Sequence, residues 1–248
     1  MIVVAGFLIA MLVGMTGVGA GTLTVPVLMI AFGVDPVHAV SAALMYSTAI
    51  KMLLVPLAAA RQQVNWRVLG WMLLGGAPAA ILGGLALNRM AGGGAKSAVQ
   101  FILGLVITSA AAINLIWSIR KREVALRRDR SHWLAGLMFP VGLEVGFSSA
   151  GAGALGSVAL LSMTAMPAAE IVGTDLAFGL GVSALAGGLH MSYGNLDTAL
   201  LTQLLAGGLP GAAMGALVAT RIPPRGLKVV LSCSLLLIGL RLCASAVR

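Results

Sequence analysis

Charge is what this 248-residue chain lacks most. Asp, Glu, Lys and Arg together make up 9% of it, against 59% hydrophobic residues and a mean hydropathy of +1.03. No soluble domain of this length hides that much apolar surface, so lipid is the solvent for most of it. Cysteine is nearly absent. Cys233 and Cys243 share the last apolar run, ten residues apart, which on one helix is ~15 Å of rise and nearly opposite faces. They cannot bridge one another, so a thiol-redox carrier loses support and both are expected as small buried hydrophobes. No Lys or Arg occurs before Lys51. With nothing basic ahead of the first apolar run, no secretory signal peptide is expected.

The charge that is present is unevenly placed. The net charge is +9, and six of the 16 basic residues fall within Arg120-Lys121-Arg122-Glu123-Val124-Ala125-Leu126-Arg127-Arg128-Asp129-Arg130. On a soluble protein such a run suggests nucleic acid. Here it is a short polar link between apolar blocks, and the positive-inside rule places it in the cytoplasm as a topology signal.

Eight apolar segments can be read, at 2–32, 37–60, 68–88, 97–119, 133–164, 168–190, 197–219 and 226–247. Six have the length of one membrane crossing. The first and fifth are 31 and 32 residues, and a straight helix of that length spans ~46 Å against a ~30 Å hydrocarbon core. Both carry a Gly-rich interruption. Gly14-Met15-Thr16-Gly17-Val18-Gly19-Ala20-Gly21-Thr22-Leu23 returns at an offset of 132 as Gly146-Phe147-Ser148-Ser149-Ala150-Gly151-Ala152-Gly153-Ala154-Leu155. At the same offset Gly75, Gly76, Pro78, Gly83, Arg89 and Lys96 match Gly207, Gly208, Pro210, Gly215, Arg221 and Lys228. Leu, Ala and Gly matches are cheap in such a composition, but the shared Pro, Arg and Lys are not. The expectation is an all-α polytopic membrane protein of two four-segment repeats, 1–119 and 133–248, joined by the basic linker 120–132, with the first segment of each repeat broken at its Gly-rich motif.

Positive charge also bears on how the repeats run. If each broken segment crosses the membrane, the halves are parallel, and Arg89, Lys96, Arg221, Arg225 and Lys228 all lie outside. If each is a re-entrant hairpin, the halves are inverted, and Arg221, Arg225 and Lys228 move inside with the linker. The uncharged N-terminus then lies outside. The charge distribution favours inverted repeats.

A duplicated, interrupted apolar segment is the best sequence pointer to a transporter's binding site. Gly-x-Gly-x-Gly is a poor helix centre, at ~1 kcal/mol per Gly relative to Ala, and a break at membrane depth is tolerated only against protein or a water-filled cavity. The half-helices restarting near Thr22 and Ala154 would aim free N–H groups and positive dipole ends at the middle of the protein. Two such ends form an anion site, with Thr16, Ser148 and Ser149 as hydroxyl donors and Gly17, Gly19, Gly21, Gly151 and Gly153 as its backbone. For Gly75, Gly76, Gly83 and Gly84, close helix packing is the better explanation.

Ionisable residues at membrane depth are functional by default. Lys51 lies well inside the second segment and suits an anionic substrate. Asp175, a third of the way along the sixth, and Glu144, just before the second break, are candidates for carrying a coupling proton. A Lys–carboxylate pair that only fixes helix packing is the structural alternative. Arg241 snorkels from near the C-terminus, and His190, Asp35, His38 and Glu170, at segment ends, read as interfacial.

With these residues in view, the chain resembles the TauE/SafE family of sulfite and organosulfonate exporters, also called the toluene-sulfonate uptake permeases. The resemblance rests on Gly17-Val18-Gly19-Ala20-Gly21-Thr22-Leu23-Thr24-Val25-Pro26-Val27-Leu28 followed by Gly33-Val34-Asp35-Pro36-Val37-His38-Ala39-Val40. It rests also on Gly151-Ala152-Gly153-Ala154-Leu155-Gly156 with Ile171-Val172-Gly173-Thr174-Asp175-Leu176. It covers essentially the whole chain. The first repeat departs from the Gly-Thr-Asp element, reading Val40-Ser41-Ala42-Ala43-Leu44, so any carboxylate function is one-sided. The resemblance implies secondary transport of small sulfur-containing anions such as sulfite or sulfonates, often outward, through the cell membrane. No enzyme activity, cofactor, metal or nucleic-acid partner is expected. The competing readings are an anion channel, a non-transporting membrane scaffold and an intramembrane serine protease built on Ser149 and His190. Against the protease stand Ala150 after Ser149, where such a protease has Gly, and Gly17 at the equivalent of Ser149 in the first repeat.

Overall fold

The computed structural model describes residues 1–16, 19–92, 96–119, 130–150, 153, 155–218 and 224–246. Among them every regular element is helical, as an internally satisfied backbone in lipid requires. In chain order the helices are α1 (Ile2–Thr16), α2 (Ala20–Phe32), α3 (Pro36–Ala60), α4 (Trp66–Gly92), α5 (Lys96–Ile119), α6 (Leu134–Ser148), α7 (Leu155–Met163), α8 (Ala168–Ser192), α9 (Thr198–Val218) and α10 (Pro224–Ala246). Four of them, α3, α4, α8 and α9, are long and apolar enough to cross a bilayer, and α5 and α10 have 24 and 23 residues. The two over-long apolar runs are each divided between two helices, α1 with α2 and α6 with α7. Gly17 and Gly151, with the side chain of Thr16, lie outside the described residues.

Helix ends follow local chemistry. Asp35 caps α3 by accepting from Val37 N at 3.2 Å, with Pro36 at the first helical position, where its missing N–H is not needed. α2 stops at Gly33, whose φ of 64° is the left-handed cap conformation. α6 stops at Ser149 in the same conformation, φ 63°, which a side chain adopts only at some strain.

The packing register fixes the direction of each helix. Val3, Phe7 and Met11 of α1 lie against Gly207, Gly211 and Gly215 of α9, so these two helices rise together. Ala135 and Leu143 of α6 lie in the same way against Gly75 and Gly83 of α4. α3 and α8 run oppositely. Thr48 Oγ1 meets Ser183 Oγ at 3.2 Å near their centres, and beyond the end of α3 the backbone N–H of Asn65 donates to Thr174 Oγ1 at 2.9 Å. α5 and α10 are likewise antiparallel, with Phe101 beside Cys243 and Thr108 beside Gly239. Between helices in lipid, attraction comes from such close van der Waals contact rather than from expulsion of water. Gly75, Gly76, Gly83 and Gly84 of α4 and Gly207, Gly208, Gly211 and Gly215 of α9 are packing residues: a Cβ at Gly75 would strike the carbonyl of Ala135.

Arg130 N donates to Met163 O at 3.0 Å, so the chain enters α6 and leaves α7 at one end of the bundle. The α3–α4 turn lies at that end too, since Gln63 and Asn65 touch Gly173 and Thr174 near the start of α8. The opposite end holds the start of α3 and the ends of α4 and α8. There Asn195 Nδ2 donates to Asn88 Oδ1 at 2.9 Å. One expectation fails: Cys233 is exposed on α10 and Cys243 half-buried, both free. An apolar run in lipid has no need to turn its small residues inward.

Candidate functional site at the meeting of the helix pairs

The two duplicated stretches touch. Thr22 Oγ1, in the first turn of α2, donates to Ala150 O at 2.7 Å across 128 positions of sequence. Gly21 lies directly against the carbonyl and hydroxyl of Ser149, and no Cβ fits between them. Only glycine permits this approach. The start of α2 is preceded by Gly19, which offers no side-chain cap and whose carbonyl accepts from Thr22 N at 3.2 Å.

The two serines before the second motif differ. Ser148, fully buried, donates to Glu144 O at 3.0 Å and accepts from Ala150 N at 3.2 Å. Its proton is committed to its own helix. Ser149 is 4% exposed, and its Oγ has no hydrogen-bond partner among the described residues. A buried hydroxyl left unmet costs about 1–3 kcal/mol, and this one points at the start of α2. Gly153, with φ of 102°, is buried on the far side of the turn.

Two opposite charges lie deep in the bundle. Lys51 of α3 and Asp175 of α8 are each 2% exposed and interact electrostatically. The carboxylate of Asp175 is engaged at the first turn of α7: Ser157 Oγ donates to its Oδ2 at 2.5 Å, and its Oδ1 lies against Gly156. It occupies the positive end of that helix, the position an anionic ligand would take. Of the two helix starts expected to share an anion, that of α7 thus has a carboxylate of the protein beside it, and that of α2 has none among the described residues. Glu144 is half-buried, and its Oε1 has no partner among the described residues.

His190 departs from expectation. Read as interfacial, it is fully buried, because α8 continues to Ser192 and lays its last turns against α4, where Gly84 leaves room for the imidazole. The imidazole of His190 is turned to the backbone of Gly146 and Ser149 Oγ has no hydrogen-bond partner among the described residues, so the Ser149–His190 dyad the sequence imitates is not made. Ser157 and Thr22 are the partners that sequence reading passed over. Both are hydroxyls in the first turn of a half-helix, a place where a side chain meets whatever that helix end faces.

Long apolar helices, two shorter pairs meeting at their turns, and an internal Lys and Asp make up a polytopic membrane transporter. The comparisons are more specific. The sequence model of the sulfite exporter TauE/SafE family matches residues 2–242, and the chain belongs to that family. It is 31% identical over 256 residues to the Probable membrane transporter protein YjnA of Bacillus subtilis (strain 168), covering 97% of this chain and 98% of that one. No solved structure matches the chain.

Proposed function

We propose that this protein is a secondary transporter of a small sulfur-containing anion, sulfite or an organosulfonate, that moves it outward by alternating access around a mid-membrane site at the two motifs. The observation that carries the reading is the buried Ser149 hydroxyl, without a partner among the described residues and held against the start of α2, where Gly19 brings no side-chain cap. Lys51 supplies the balancing positive charge from α3, the helix beside α2. A tetrahedral or pyramidal oxyanion suits such a set of short, convergent donors. The family's description supports sulfite and export.

The helix register supports inverted repeats. α1 (2–16) and α6 (134–148), and α3 (36–60) and α8 (168–192), stand at the same offset of 132. The contacts recur in exchanged form: Val3 on Gly207 with Ala135 on Gly75, and Tyr46 on Gly208 with Phe178 on Gly76. α9 runs against α8 and therefore with α3. α1 runs with α9, so α1 and α3 point the same way and α2 must turn back between them. Each α1–α2 and α6–α7 pair is then a re-entrant hairpin, entering from opposite faces to meet at the centre. The end bearing Arg61, Arg67 and Arg130 is the cytoplasmic one in a cell membrane, against Arg89 and Lys96 at the other. Two inverted hairpins rocking about one site is the geometry alternating access needs. Asp175 and Glu144 are the groups through which a proton would couple.

The test is sulfite and sulfonate flux in proteoliposomes, wild type beside Lys51→Ala and Thr16→Val/Ser149→Ala. Saturable flux that collapses in the variants fits the reading. Flux that never saturates points to a channel, and no flux of either solute withdraws the substrate class.

A further inference from the structure

Packing sorts the helices differently from the sequence repeats. α1 lies along α9, and α3 reaches both: the hydroxyl of Tyr46 donates to Gly6 O at 2.5 Å and its ring lies on Gly208. The junction recurs 132 residues on, where the ring of Phe178 on α8 lies on Gly76 of α4, the helix that packs along α6. Apart from each other, α10 rests chiefly on α1 and α2, and α5 on α4, α6 and α7. Two sets result. One holds α1–α3 with α9 and α10, the other the consecutive helices α4–α8. The sets meet along two seams. Between α3 and α8 the seam is polar: Thr48 Oγ1 meets Ser183 Oγ at 3.2 Å, and Lys51 interacts with Asp175. Between α5 and α10 it is close-packed, with Gly104 against the backbone of Gly239. The hairpin tips lie between the seams, α2 touching α3 and α10, and α7 touching α8 and α5. The chain passes from one set to the other in the α3–α4 and α8–α9 turns. Each turn holds a left-handed residue, Gln62 at φ 56° and Gly194 at φ 72°, again 132 apart. They stand at opposite ends of the bundle, where Gln63 lies against Gly173 and Asn195 donates to Asn88.

We infer that these two sets, rather than the two sequence repeats, are the bodies that move: α4–α8 rock as one unit against α1–α3 with α9 and α10, hinged at the turns of Gln62 and Gly194. Short turns at element ends are where a hinge absorbs its change of φ and ψ. The α3–α8 seam parts and closes. The α5–α10 seam, where glycine lets the backbones touch, is the joint on which the bodies turn. Lys51 and the start of α2 then belong to one body, and Ser149 and Asp175 to the other, so the movement itself makes and unmakes the site. Tyr46 and Phe178 keep each hairpin with the long helix beside it. The inference rests on the transport reading and adds to it which helices travel together.

Two thiol pairs in a Cys233→Ser/Cys243→Ser background test the division. Gly187 of α8 faces Met45 of α3 across the seam, and Gly181 of α8 faces Leu73 of α4 within one body. At both glycines the side chain that would crowd a new Cβ is the one being replaced. Oxidative bridging of Met45→Cys/Gly187→Cys is expected to abolish sulfite flux in proteoliposomes, with recovery on reduction. Bridging of Leu73→Cys/Gly181→Cys is expected to leave flux intact. Flux that survives the first bridge, or is lost with the second, overturns the inference. Distances between spin labels in the bilayer give a readout that needs no solute. His38→Cys/Ser192→Cys spans the bodies and Arg89→Cys/Ser192→Cys lies within one, all three positions being exposed. The spanning pair is expected to show a broad or two-peaked distribution and the inner pair one narrow peak. Equal widths overturn the division. Unequal widths with no sulfite flux keep it and withdraw the substrate class instead.

Discussion

The two helix pairs α1–α2 and α6–α7 share a scaffold and differ in charge. α1 and α6 each have 15 residues and pack along a partner from the other half in the same register. At the second pair, Asp175 fills the start of α7 through Ser157. The place 132 residues earlier is Ala43, fully buried on α3 and without charge, so the start of α2 receives no such carboxylate. The cation is reversed: Lys51 stands in the first half where the second has Ser183. In the proposed transporter the site is therefore one-sided, with a carboxylate beside the start of α7 and none at the matching position of α3. On that proposal, likeness of the two helix pairs would supply the two-way motion, and asymmetry of a few side chains one binding place rather than two.

Lys51→Ala breaks the comparison hardest. Removing the charge that faces Asp175 and is proposed to balance the anion is expected to lower flux by about a hundredfold, the scale of unpairing a buried charge, as measured by initial rates in proteoliposomes. Next comes the serine pair. Ser149→Ala is expected to raise KM about tenfold, whereas Ser148→Ala, whose hydroxyl serves only its own helix, leaves KM unchanged and costs about 1 kcal/mol of stability. Equal effects on KM from the two serines would remove Ser149 from the site. Asp175→Asn keeps the partner of Ser157 and deletes the charge, so the anion's KM is expected to fall about fivefold by relief of repulsion across a partly screened interior. A rise in KM would make Asp175 a direct ally of the substrate. The smallest effects concern the scaffold. Gly75→Ala, facing the Ala135 carbonyl, is expected to destabilise by about 1–3 kcal/mol, while Gly70→Ala, with open space around it, stays within ~0.5 kcal/mol. Melting of the detergent-solubilised protein reads both.

Much of the helix layout was legible because lipid simplifies the code. Apolar run length alone marks a crossing, and runs too long for one crossing mark a chain that must divide. The helix ends at Thr16 and Ser148 fall inside the two glycine-containing runs that were too long for a single crossing. The packing role of Gly75 and Gly83 was legible too. What could not be read was partnership. Nothing in a one-dimensional pattern says that Asp175 reaches Ser157 eighteen residues back, or that Ser148 spends its hydroxyl on its own helix while Ser149 does not. His190 was misplaced because a polar residue at the last position of an apolar segment looks interfacial, and only the overlap of α8 with α4 buries it. Cys233 was misplaced by a rule for water, where small apolar residues go inward.

The most direct test of the one-sided site is equilibrium binding of sulfite to the purified protein, comparing wild type with Ala43→Asp and its neutral control Ala43→Asn. A carboxylate at position 43 would place at α2 what Asp175 places at α7. The account predicts that wild type and Ala43→Asn bind sulfite and that Ala43→Asp, folded by the same melting criterion, does not. Sulfite binding to Ala43→Asp with wild-type affinity would contradict it.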